Sequence, residues 1–296
     1  MKDYYIGIVI VNYNGASYQN ECIESILNST YQNYQIFVID NASKDNSMEL
    51  LDVFHSPKIT KIFAGDNLGV AAGNNIGIEA SLKAKTDATL FLNNDTVLQK
   101  DTLEKLVNYL PDEEIICPII YYWSHKDTFW YGGGHFDMKR GTTYHDHYME
   151  KDTGQKFPDY CDYASTCCLL VKNDVFDKIG QMDPIYFMYS DDTDFAMRAK
   201  LKGIKIRLVS DSRMYHKVSL STGGEKSKLS VYYMNRNRFF FVKRYKKYFS
   251  WTAYPFTYWS RKIRYLESFF KDKNNRVIKK AYKDYKAGRM GRCDNL

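Results

Sequence analysis

"DATLFLNNDT", residues 87–96, runs through five apolar or β-branched positions and then stops at two amides and a carboxylate, Asn93, Asn94 and Asp95. A strand buried on both faces reads as an unbroken apolar run, and such strands belong to parallel sheets covered by helices. Three more runs of this kind precede it: "YYIGIVIVNY" (4–13), "YQIFVIDN" (34–41) and "KITKIFAG" (58–65). Between the first two, "SYQNECIESILNS" (17–29) sets Cys22, Ile23, Ile26 and Leu27 at helical spacing, and "VAAGNNIGIEASLKA" (70–84) supplies the helix before the fourth. Strand and helix alternating at this rhythm predict an α/β chain with a mainly parallel central sheet flanked by helices. In such sheets ligands sit beyond the carboxyl ends of the strands.

The residues at those ends share a character. The first run leads into Asn12, Tyr13, Asn14 and Gly15, the second into Asp40, Asn41 and Ser43, the third into Asp66, Asn67 and Gly69, the fourth into Asn93, Asn94 and Asp95. Singly, each is an ordinary turn residue. Four amide- and carboxylate-rich ends on one edge read instead as a binding site. Gly69, Gly73 and Gly77 recur every four residues and share one helix face, where a backbone or a bulky ligand can come close. Neither G-x-G-x-x-G nor G-x-x-x-x-G-K-[ST] occurs, so a phosphate ligand here calls for a metal ion rather than a glycine loop. Asp95, a hard oxygen ligand, suits Mg²⁺ or Mn²⁺, which keep several waters and bridge phosphates through one or two carboxylates.

The second half carries a denser acidic cluster. "FMYSDDTDFAMRAKLKG" (187–203) opens a helical pattern with Asp191, Asp192 and Asp194, more acid than the helix dipole needs, next to the aromatic run "IYFMY". A general base beside a binding wall is the expectation. His216 follows a further predicted strand, "KIRLVSD" (205–211); a lone histidine there is either a structural hydrogen-bonder or a ligand.

The 296 residues allow one α/β domain with an appendage or two modest domains. The net charge of +7 is uneven: residues 226–296 hold 20 Lys and Arg against 4 Asp and Glu, a net +16, which leaves −9 for the rest. Aromatic residues interleave with these cations in "VYYMNRNRFFFVKRYKKYFSWTAYPFTYWSRKIRYLESFFK" (231–271), which suits an anionic membrane surface. No nucleic-acid-binding motif accompanies the charge, so no nucleic-acid partner is expected. Six cysteines show no C-x-x-C pair and no zinc spacing, as in a reduced cytosolic protein. "MKDYY" has no apolar signal core and no apolar run nears the roughly 18 residues a spanning helix needs, so a cytoplasmic protein is expected.

Taken in order, "VIVNYNG", "VIDNASKDNS", "DNLGVAAGNNIG", "LFLNNDT", "KIGQMDPIYFMYSDDTDFAMRA" and "MYHKVS" resemble the inverting glycosyltransferases of family 2, which have the GT-A fold. Over roughly residues 5–245 the chain looks most like the bacterial branch that contains rhamnosyltransferases. The resemblance implies a Rossmann-like nucleotide-sugar-binding half (1–98), an acceptor and catalytic half (99–225) and a helical, basic and aromatic C-terminal extension (226–296). It implies that Asp40 bonds the nucleotide base, with Tyr13 and Asn41 lining the pocket and Asn12, Asn67, Gly73, Asn93 and Asn94 around the nucleotide sugar. It implies further that Asp95 and His216 hold Mg²⁺ or Mn²⁺, and that Asp191 and Asp192 form the acid pair, Asp192 being the base.

Two departures stand out. The acid pair is Asp-Asp where relatives usually have Glu-Asp, and Thr166 stands after a "DYAS"-like strand where many have Gly. For Asp192 to act near neutral pH, its pKa must be raised by burial and by Asp191 and Asp194. The implied reaction takes a sugar from a UDP- or dTDP-linked donor to a hydroxyl of a glycan or lipid-linked glycan in bacterial surface polysaccharide synthesis. The enzyme would sit peripherally at the inner face of the cell membrane. The alternatives are an inactive nucleotide- or carbohydrate-binding module, and a nicotinamide-dependent oxidoreductase, which the missing glycine fingerprint disfavours.

Overall fold

The structure, a computed structural model, describes residues 2–218, 227–270 and 274–296. The four expected N-terminal strands form as β1 (Ile6–Asn12), β2 (Tyr34–Asp40), β3 (Ile59–Phe63) and β4 (Ala88–Leu92), with helices α1 (Gln19–Leu27) and α2 (Gly69–Lys83) between them. They pair in parallel in the order β3-β2-β1-β4, and Asn12 stands level with Asp40. All five residues of β4 are buried, as its continuous apolar run requires.

After β4 come β5 (Thr96–Leu98), α3 (Thr102–Val107), β6 (Ile115–Tyr122) and β7 (Phe129–Tyr131). A two-stranded hairpin, β8 (Gly134–Asp137) with β9 (Thr142–His145), follows, then β10 (Tyr160–Cys161), β11 (Cys168–Lys172), α4 (Val175–Ile179), α5 (Asp191–Leu201) and β12 (Ile206–His216). β11 lies antiparallel between β4 and β6, so the ten-stranded sheet is parallel in its first half and mixed in its second. The expected strand at "DYAS" is irregular instead. Its backbone is taken up elsewhere: the Tyr163 N–H donates to Gly134 O at 3.0 Å, and its carbonyl accepts the Tyr131 hydroxyl at 2.6 Å.

β12 outruns its expected end at 211. It pairs in parallel with β6, bulges between Val209 and Arg213, and continues to His216 with β6 still on one side and β5, antiparallel, on the other. That pairing sets His216 opposite Thr96, the residue after Asp95, and the Lys217 N–H donates to the Asp95 carbonyl at 2.9 Å.

The C-terminal residues form α6 (Lys228–Arg244), α7 (Ala253–Glu267) and α8 (Asn275–Lys286). The expected boundary at 225/226 lies outside the described residues. α6 is built into the fold: Phe241, Val242, Tyr245 and Phe249 join the main core, while Tyr232, Tyr233 and Ala281 form a second cluster with Phe187. Among the described residues no helix is long and apolar enough to cross a membrane.

Candidate active site

An amide network organises the edge where β1, β2 and β4 end. Asn12, wholly buried, accepts from Asn94 Nδ2 at 2.9 Å through Oδ1 and donates through Nδ2 to Ser47 Oγ at 2.8 Å and Ser43 Oγ at 3.2 Å. One side chain thereby ties three loops together. Gly15 leaves room for it, since a Cβ there would stand 2.8 Å from Asn94 Nδ2. Asp40 accepts the Ser43 N–H at 3.2 Å, and Asn41 donates to the Gly69 carbonyl at 2.9 Å while its buried Oδ1 has no partner. Tyr13 is half-buried beyond Asn12, and Asn67 accepts the Gly69 N–H at 3.1 Å at the start of α2.

Two of the residues expected around the nucleotide sugar also serve as supports. A Cβ at Gly73 would meet Val11 Cγ1 at 2.9 Å and Asn41 Nδ2 at 3.3 Å, so the glycine lets α2 lie against β1 and hold Asn41 in place. Asn93 is fixed through its backbone, its N–H donating to Cys167 O at 3.1 Å and its carbonyl accepting Thr96 Oγ1 at 2.7 Å.

Asp95 and His216 meet at the same edge, both buried. His216 Nε2 lies 3.1 Å from Asp95 Oδ1, yet that oxygen has no aligned hydrogen-bond donor, and His216 Nδ1 also lacks a partner. Two neighbouring ligands of an octahedral ion at about 2.1 Å stand about 3.0 Å apart, so spacing and missing alignment both fit a shared cation. Among the described residues no third His, Cys, Asp or Glu completes a metal-binding cluster, which suits an ion that keeps waters and substrate oxygens. Trp130 braces the imidazole edge-on, its ring centroid 4.6 Å away.

Opposite, α5 starts from a strained loop. Phe187, Tyr189 and Ser190 hold φ of 66°, 60° and 68°, positions that cost non-glycine residues about 1–3 kcal/mol each. The loop is clamped from two sides. Val70 N–H donates to Phe187 O at 2.7 Å, and Asn237 Nδ2 of α6 lies within 3.0 Å of the carbonyls of Tyr186, Met188 and Tyr189. Arg236, fully buried and without a carboxylate partner among the described residues, donates to Tyr186 O at 3.2 Å and Gly291 O at 2.7 Å.

The three acids that follow have three different environments. Asp192 is half-buried and accepts the Tyr163 hydroxyl at 2.8 Å and the Thr193 N–H at 2.6 Å. Asp191 is buried with Oδ2 unpartnered; burial, then repulsion from Asp192, pushes its pKa up to about 8. Asp194 belongs to the core rather than to the reactive cluster. Its fully buried carboxylate accepts from Tyr186 (3.0 Å), Tyr245 (2.9 Å) and Arg198 Nε (2.8 Å), with Arg244 Nη1 at 3.3 Å.

Sequence reasoning missed the wall between these centres. Trp130 stands edge-on to both His216 and His145, and His145 stacks on Tyr163 with centroids 5.8 Å apart. His145 Nδ1 lies 3.0 Å from the Trp130 carbonyl, which only accepts, so Nδ1 carries the hydrogen; burial holds this histidine below its usual pKa. These residues come from β7, β9 and an irregular stretch, where no sequence period marks them. Thr166 is buried in the turn before β11.

The α/β sheet thus carries an amide network and a buried His–Asp pair at the edge where its strands end, and the acids Asp191 and Asp192 at the start of α5. Residues 7–180, more than half of the chain, match the family described as Glycosyl transferase family 2, and the chain belongs to that family. Among relatives, glycosyltransferase GlyG of Streptococcus pneumoniae is 28% identical over 124 residues, 42% of this chain and 40% of its own length. The chain thus spans less than half of that relative. Among solved structures, GalNAc-T7, crystallised with UDP, GalNAc and Mn²⁺, superposes with a TM-score of 0.62 at 18% identity, covering 81% of this chain and 48% of its own. The mannosyltransferase PcManGT of Pyrobaculum calidifontis, in complex with GDP-Man and Mn²⁺, gives 0.59 at 12% identity over 96% of this chain and 75% of its own. The fold is GT-A.

Proposed function

We propose that the chain is a metal-dependent inverting glycosyltransferase that moves a sugar from a UDP- or dTDP-linked donor to a hydroxyl of a glycan or lipid-linked glycan. The observation that carries this reading is the buried Asp95–His216 pair, 3.1 Å apart and unaligned for a hydrogen bond, on the same sheet edge as the Asn12–Asp40–Asn41 pocket. The Mn²⁺ and nucleotide ligands of the two structural neighbours support it. Held by Asp95 and His216, Mg²⁺ or Mn²⁺ would neutralise charge developing on the leaving diphosphate.

The protein's own groups do the rest. Asp40, Asn41 and Tyr13 hold the base, and Asn67 and Asn94 shape the pocket around it. Asp192 takes the proton of the acceptor hydroxyl as its oxygen attacks the anomeric carbon, and the bonding pair leaves with the diphosphate. One displacement inverts the centre. A base of this kind contributes about 10²–10⁴ in rate. The basic, aromatic C-terminal helices support a peripheral position at the inner face of a bacterial cell membrane, where surface polysaccharide is built on lipid carriers.

Thermal-shift measurements with UDP, dTDP and GDP, each with and without Mn²⁺, followed by hydrolysis of UDP-hexoses and dTDP-rhamnose, test this reading. Stabilisation that requires both a nucleotide and Mn²⁺ is expected. A chain that binds no nucleotide under either condition would be no transferase of this class.

A further inference from the structure

The segment that leaves α8 does not trail away from the molecule. Gly288, just past the helix, takes a left-handed turn, and Arg289 then donates twice to Asp284 Oδ1, from Nε at 2.9 Å and from Nη2 at 2.7 Å. Asp284 is buried and also accepts the Tyr232 hydroxyl of α6 at 2.7 Å, so the segment starts from a fixed point. Gly291 turns the chain again at φ 74°, where nothing lies within 4 Å of a Cβ; the backbone conformation, not lack of space, calls for glycine.

From that turn the segment runs between two loops of the candidate site. The Gly291 N–H donates to the Ile185 carbonyl at 2.8 Å and the Gly291 carbonyl accepts from the buried Arg236, which ties the turn to the loop before α5. The Cys293 N–H donates to the Tyr233 hydroxyl at 2.9 Å, and the Tyr233 ring stacks on Phe187 of that loop with centroids 5.1 Å apart. Between these two anchors Arg292 reaches to the other side. Its Nη1 donates to Asp66 Oδ1 at 2.7 Å and to the Asn67 carbonyl at 3.2 Å.

Asp66 and Asn67 lead from β3 into α2 and are wired to the nucleotide pocket. Asn67 Oδ1 accepts the Gly69 N–H at 3.1 Å, and the Gly69 carbonyl accepts Asn41 Nδ2 at 2.9 Å. Tyr13, expected beside the base, is close enough to act on the Arg292 charge, which Asp66 chiefly holds. The ion pair itself lies at the surface, its side chains 43% and 67% exposed, and such pairs add little to global stability. Its effect is local: it holds a largely exposed loop in one conformation.

We propose that Arg292 is a positioning residue for the donor: it holds the 66–69 loop, and through it Asn41, in the conformation that binds a nucleoside diphosphate. This rests on the transferase reading and makes the segment after α8 a part of the donor site.

Calorimetric titration of the full chain with UDP, dTDP and GDP in the presence of Mn²⁺ tests it. Arg292→Ala should weaken the nucleotide that the parent binds by about three- to tenfold, the loss of an exposed ion pair and one hydrogen bond to a carbonyl, while the Tm without nucleotide stays at the parental value. Asp66→Asn supplies the sign. Removing a negative charge beside an anionic ligand would tighten binding if charge alone mattered, and an Arg292 set free would bind more tightly if it touched the nucleotide itself. A positioning pair requires weaker binding instead, by about twofold or more, and the losses in Arg292→Ala/Asp66→Asn should not add. Unchanged affinity in Arg292→Ala, tighter or unchanged affinity in Asp66→Asn, additive losses, or a Tm that falls in step with affinity overturns the proposal. A parent that binds none of the nucleotides refutes the transferase reading and the role of Arg292 with it; a binding parent with an indifferent Arg292 refutes that role alone.

Discussion

Tyr163 donates its buried hydroxyl to Asp192 Oδ2 at 2.8 Å, while the Thr193 N–H holds Oδ1 at 2.6 Å. The two donors hold one oxygen each, so the base is aimed. A hydrogen bond to a charged group contributes about 1.5–3 kcal/mol, which corresponds to roughly ten- to a hundredfold in rate. Tyr163→Phe should therefore lower kcat by about that factor and leave donor Kd within a few fold. An unchanged kcat would make Tyr163 a packing residue.

Asp192→Asn keeps the shape and removes the proton acceptor. Turnover should fall by about two to four orders of magnitude while donor binding changes only a few fold. Collapse of donor affinity with surviving turnover would reassign the base to Asp191.

Asp191 makes a prediction about stability. Its folded-state pKa, raised from 3.8 to about 8, means the protonated form is the one the fold accommodates. Its contribution is whole below about pH 4 and is lost as the pH climbs through about 8. Asp191→Asn should match the parent's Tm near pH 4 and exceed it by several degrees near pH 9. Equal Tm values at both ends would mean that the carboxylate is solvated in solution.

The His216–Asp95 pair makes a prediction about metal. Asp95→Ala should abolish the Mn²⁺-dependent thermal shift with nucleotide, and His216→Gln should weaken it tenfold or more. Far-UV circular dichroism should stay unchanged in both. An undiminished shift in Asp95→Ala would put the ion elsewhere.

How much of this could be read beforehand depends on what fixes each residue. Asn12, Asp40, Asn41, Asn94 and Asp95 were legible because a buried parallel strand must end where its apolar run ends, and the ends share an edge. His216 needed partners outside the local pattern: past its bulge β12 runs on between β6 and β5, the latter a three-residue strand too short to announce itself. Tyr163 sits in irregular backbone, so the strand expected at "DYAS" hid its contact with Asp192. α6 read as surface because Arg and Lys interrupt its aromatics, yet Arg236 and Asn237 are buried, answering carbonyls of the strained loop before α5. Composition cannot reveal a buried arginine whose partners are backbone oxygens and a neighbouring amide.

Asp194 separates the structural acid from the reactive pair. Its carboxylate joins α5 to the end of α6 through Arg244 and the Tyr245 hydroxyl and to the segment before α5 through the Tyr186 hydroxyl, while Arg198 braces it within α5. Arg244 also pairs with Asp183, so the ion pair reaches the loop that leads into α5. Removing one member of a buried ion pair leaves its partner uncompensated and costs about 3–5 kcal/mol. Asp194→Ala should therefore lower the midpoint of urea unfolding more than any other single acid-to-neutral change in α5. Asp192→Asn, two residues away on the more exposed side, should leave that midpoint within error. The two variants thus dissociate folding from turnover: one loses stability and activity together, the other activity alone. If Asp194→Ala unfolds at the parental urea concentration, the four donors around it are solvated in the native state, and α6 is held to α5 by its aromatic contacts instead.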